Sequence, residues 1–123
     1  MTINVDGMII DLAHHGRIGA RPWTTGAAGL AAEIMLDYAQ SGIELPNLIL
    51  RGHSHTLQDS GAHFENTRLI QLPSWQLKTT HSWRVAGNTV RSDIGGLLMI
   101  DGEVDLSHSR YKGQPDRRKI IVL

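Results

Sequence analysis

The chain has 123 residues, one domain's worth, enough to build a core but short for an enzyme with a large cleft. Twelve basic and twelve acidic side chains cancel, so no overall electrostatic pull toward nucleic acid or a membrane surface exists. Cysteine is absent, which excludes disulfides, thiolate nucleophiles and zinc-thiolate sites, and leaves any metal to His, Asp, Glu or Asn. No apolar run is long enough to cross a bilayer and the N-terminus carries no signal pattern, so the expectation is a soluble cytoplasmic protein. Seven histidines stand against three Trp, two Tyr and one Phe, a histidine-heavy balance that calls for an explanation.

Residues 2–5 and 8–12 read as a hairpin, because two apolar-rich arms flank Asp6-Gly7, a pair suited to a two-residue type I′ turn. The second arm delivers His14 and His15 to a strand end. Gly16, Gly19 and Pro22 then interrupt regular structure in a stretch that carries Arg17, Arg21 and Trp23. From Thr25, with Thr24 or Thr25 as N-cap, a helix is predicted: Leu30, Ile34 and Tyr38 recur every four residues, Ala27, Ala31 and Met35 flank them, and Ser41-Gly42 supplies the stop. This stripe is core packing and has no cofactor role. Leu45-Pro46-Asn47 turns the chain into a strand over 48–51, giving strand, helix, strand, the local signature of a crossover between parallel strands.

That strand empties at Gly52 into His53-Ser54-His55, where side chains at i and i+2 share a face and two imidazoles can serve one ion or two adjacent ones. Gly52 allows a sharp bend or a close approach to a neighbour just before the pair. Both histidine groups then lie beyond the C-terminal ends of neighbouring parallel strands, the edge at which open α/β sheets bind ligands. Further on, 62–65 and 68–72 are strand candidates, and Trp75, Leu77 and Trp83 fall in a packed loop or short helix with Lys78, His81 and Arg84. A second hairpin joins 95–100 to 103–111 through Asp101-Gly102, with Val104 and Leu106 facing the core. Residues 112–119 read as a polar linker and 120–123 as a last edge strand or a frayed end. His63, His81 and His108 read as surface or half-buried residues, and Arg117-Arg118-Lys119 as a solvated run.

Leu12-Ala13-His14-His15-Gly16 and Arg51-Gly52-His53-Ser54-His55-Thr56, in this order and context, resemble the last two signature blocks of the calcineurin-like metallophosphoesterases. The resemblance covers residues 8–56 and implies an α/β (α+β) fold, the C-terminal half of a metallophosphoesterase-like two-layer β-sandwich with a flanking helix, so residues 1–123 form a single partial domain. It implies a hydrolase in which two divalent ions, drawn from manganese, iron and zinc, act on a phosphoester. His14 and His53 would then ligate one ion and His55 the other. His15 stands where the family varies and is a candidate catalytic group or a plain loop residue. Arg17, Arg21 or Arg51 are the candidates to neutralise phosphate oxygens.

The family's earlier Asp-x-His, Gly-Asp-x-x-Asp and Gly-Asn-His blocks do not occur in these 123 residues. Three neutral imidazoles do not balance two divalent ions, so a complete site implies a missing N-terminal half or a second copy of the chain as partner. Nucleic acid enters only as a substrate. The other reading is a catalytically incomplete metal-binding or partner-binding fragment of the same fold. A strand edge at 8–12 or 48–51 without its neighbours is expected in either case.

Overall fold

In the computed structural model the described residues are 1–14, 26–55, 57–74 and 94–109, with 53–55 and 63 described by their backbone alone. They form β1 (Thr2–Val5), β2 (Met8–Ala13), α1 (Gly26–Ser41), β3 (Leu48–His55), β4 (Gln58–Asp59), a 3-10 turn at Gly61–His63, β5 (Arg68–Pro73), β6 (Leu98–Ile100) and β7 (Glu103–Asp105). The class is mixed α/β, as expected: one five-stranded sheet of order β1-β2-β3-β5-β4, one helix, and a separate β6-β7 hairpin. β2, β3 and β5 run parallel, while β1 and β4 flank them antiparallel.

Local chemistry explains the ends of these elements. Asp6 (φ 51°) and Gly7 (φ 87°) both take positive φ, as a type I′ turn demands, and the Asn4 side chain accepts the Gly7 N–H at 2.9 Å. Asp101 and Gly102 (φ 51° and 77°) repeat the arrangement in the second hairpin. Helix α1 ends where Gly42 adopts φ 66°: its N–H reaches Ala39 O (3.3 Å) and the Ile43 N–H reaches Tyr38 O (3.2 Å), the paired bonds of a Schellman stop. Asn47 starts the parallel ladder, since its N–H donates to Ile9 O and its side-chain oxygen accepts the Ile9 N–H, each at 2.8 Å.

The sheet is buried on both faces, as the continuous apolar runs of β3 and β5 require. On one face Ile49 and Leu69 pack under Ala27, Leu30 and Ala31 of α1, with Ile34 and Phe64 at the margin. On the other, Ile10, Leu48, Leu50 and Ile70 pack against Leu97, Met99, Val104 and Leu106 of the hairpin region. Ile49, Leu69 and Ile70 are fully buried, each contributing about 1.5–3 kcal/mol relative to an exposed side chain.

Four expectations need correction. β3 does not end at Arg51 but continues to His55, where it pairs with Pro73. Residues 62–65 are not a strand: Gly61 (φ 56°) bends the chain, and the edge strand is β4, two residues long. The second arm of the second hairpin stops at Asp105, whose carboxylate accepts the Ser107 N–H at 2.8 Å. Finally, β2 and β3 are not bare edges, because the tight first hairpin folds β1 back over β2 and β3 lies between β2 and β5.

Candidate metal centre

The two histidine groups come together through the register of β2 and β3. Ala13, the last residue of β2, pairs with Arg51, so His14, one residue past β2, lies beside Gly52 within β3. A Cβ placed on Gly52 would lie 3.1 Å from His14 Nδ1, 3.3 Å from His14 O and 3.4 Å from its Cα. The close approach expected of Gly52 is therefore made to the other histidine block. His14 as a whole is exposed.

The backbone of 53–55 continues β3, but its ladder is irregular: from Arg51 to His55 β3 uses four residues where β5 needs two, Gln71 to Pro73. The alternation expected to place the His53 and His55 side chains on one face falls in this irregular stretch. Their imidazoles, and all of His15, Arg17, Arg21, Trp75 and His81, lie outside what is described, as do the Thr24/Thr25 cap and 112–123. His14 thus has a described side chain in the expected place. Among the described residues, no group of three or more His, Cys, Asp or Glu side chains is placed to hold a metal ion.

Below this edge lies an ion pair that the sequence did not single out. Arg51 Nη2 donates to Asp11 Oδ2 at 2.7 Å, and its Nη1 donates to Asp11 O (3.2 Å) and Leu50 O (3.0 Å). The two side chains are only 11% and 12% exposed. Burial, then the Asp11 charge and its hydrogen bond, hold the Tyr38 hydroxyl above the usual tyrosine pKa. Arg51 is thereby committed to the fold and corrected as a phosphate-binding candidate. A signal for the pair was present: Asp11 stands between Ile10 and Leu12 in an apolar strand, and a lone buried carboxylate requires a cation. The sequence does not say which cation, because that depends on the strand order.

One register step across from Arg51, Gln71 is 1% exposed and pairs with Gln58 on β4. Among the described residues, both polar atoms of the Gln71 amide and Oε1 of Gln58 have no hydrogen-bond partner, leaving buried positions suited to an internal water.

Of the three histidines expected to hold metal, His14 alone has a described side chain, a single imidazole donor. His14 carries its imidazole one residue past the end of β2, and the position beside it on β3 is a glycine. Asp11 is occupied by Arg51 and Asp59 by Arg68, so neither is a free bridging carboxylate. No helix among the described residues is long and apolar enough to cross a membrane. Compared with protein-family models, with curated proteins and with solved structures, the chain gives no significant match in any of the three.

Proposed function

We propose that this chain is the histidine-bearing part of a metal-dependent phosphoester hydrolase of the calcineurin-like kind, acting in the cytoplasm. The contact of His14 with Gly52 across two parallel strands supports the reading, because it seats the strand-end histidine block against the Gly-His-x-His block. The helix on one face of the sheet and the hairpin on the other agree with the later half of a two-layer β-sandwich.

His14 and His53 would hold one divalent ion and His55 a second, each as a neutral imidazole. When bound, manganese, iron or zinc supplies a hydroxide nucleophile and the charge that steadies the phosphoryl oxygens. His15 would exchange a proton with the leaving group, and Arg17 and Arg21 would pair with phosphate oxygens. Asp11 and Asp59 are engaged by Arg51 and Arg68, so a bridging carboxylate would come from another residue or from a partner such as a second copy of the chain.

That same engagement of Asp11 favours a second reading, in which the chain holds a single ion through three histidines and is catalytically incomplete. Equilibrium dialysis against zinc or manganese, followed by elemental analysis, tests both. Bound metal is expected in the wild-type protein and is lowered in His14→Ala, His53→Ala and His55→Ala. Full retention by His53→Ala and His55→Ala would refute the ligand assignment. Two ions with hydrolysis of a chromogenic phosphodiester mark the phosphoesterase; one ion without turnover marks the incomplete fragment.

A further inference from the structure

We infer that Gly52 is a positioning residue for this centre, seating His14 by the absence of its own side chain; the inference rests on the metal-binding reading above. Gly52 is not among the glycines with positive φ, so its backbone is one that any L-residue adopts. Conformational freedom therefore does not account for glycine here, and space does. An ideal Cβ would be 3.1 Å from the His14 ring nitrogen and 3.3–3.4 Å from His14 main-chain atoms, tighter than ordinary carbon contacts.

The main chain on either side has little room to yield. β2 and β3 are paired in register up to Ala13 and Arg51, and the Arg51 guanidinium ties the strands again through Asp11. On the far side β3 is held by β5. A methyl group at 52 presses on His14, one residue past the end of β2, whose ring nitrogen is the nearest atom. A displacement of a few tenths of an ångström takes up much of the about 0.5 Å within which a metal ligand must be held. Gly52→Ala thus acts on the centre through His14, not through the ions directly.

Two measurements on the whole chain decide this. In the metal-free protein, the imidazole nitrogen signals of His14, assigned by comparison with His14→Ala, are expected to shift in Gly52→Ala; unmoved His14 signals would overturn the inference. Competition for zinc against a chromogenic chelator should show Gly52→Ala binding about 10- to 100-fold more weakly than wild type, the range for residues that orient a ligand. In a His14→Ala background the same substitution should change zinc affinity less than twofold. Equal losses in both backgrounds would overturn the inference, as they would mean a general disturbance of β3. Should Gly52→Ala fail to fold while the double variant folds, the clash with His14 is supported directly. A wild-type chain that binds no zinc refutes the metal reading, and the ring signals then still report whether Gly52 seats His14.

Discussion

Removal of the Asp11 carboxylate is the most informative single perturbation of this fold. Its partner Arg51 is 11% exposed and makes its shortest bond, 2.7 Å, to that carboxylate. In Asp11→Ala the guanidinium stays buried with, among the described residues, the Asp11 and Leu50 main-chain carbonyls as acceptors, and breaking a buried pair from one side costs about 3–5 kcal/mol. Because both side chains retain some exposure, the lower end applies, about 3 kcal/mol, and loss of the Tyr38 hydroxyl's acceptor adds about 1 kcal/mol. With a urea m-value of roughly 1.5–2 kcal/mol/M, the unfolding midpoint at pH 7 should fall by about 2 M with m unchanged. The double variant Asp11→Leu/Arg51→Met should recover most of this loss, since an apolar pair of similar volume removes both desolvation penalties. A midpoint shift under about 0.5 M in Asp11→Ala, or a double variant that merely sums the single losses, would show that the pair is not the clamp between β2 and β3.

Gly95→Ala should destabilise the protein by about 2–3 kcal/mol, because a Cβ there would run into the His108 carbonyl oxygen and lie 2.6 Å from Ser109 C and O, all main-chain atoms that cannot swing aside; a urea midpoint within error of wild type would refute the packing of 95–96 on 108–109. Asp59 is subject to burial, which alone would raise its pKa, but the hydrogen bonds from Arg68 and the Gly61 N–H and the Arg68 charge bring it below the usual carboxylate value. A depressed folded pKa means that the unfolded chain binds more protons, so this contribution is complete above the unfolded value of about 3.9 and is lost as pH falls through the folded value. Asp59→Asn should therefore flatten the dependence of the urea midpoint on pH below about 4, with a small amplitude because the pair is partly exposed; a curve parallel to wild type would count against it.

The sequence by itself determined those features whose causes are local. Both Asp-Gly turns, the stop of α1 at Gly42, its buried stripe from Ala27 to Ile34 and strand β5 follow from positive φ, helical spacing and short apolar runs, and each was legible without knowing what it packs against. That His14 meets the start of the Gly-His-x-His block was legible too, since a strand, a helix and a second strand imply parallel neighbours, although β3 runs on past the end of β2 to His55. The tertiary structure alone decided the rest. β4 is two residues long and is tied to β5 by the Asp59–Arg68 pair, a contact nine residues apart that no period reveals. Arg51 looked like a free cation at a ligand-binding edge, and only the Ala13–Arg51 register shows it bound to a carboxylate forty residues earlier. Glycine at 52 has the same letter as the turn glycines, yet its φ is ordinary and its reason is the imidazole across the strand. Local preferences are written along the chain, whereas partners are chosen by strand order, and strand order is set by which apolar faces the whole domain can bury at once.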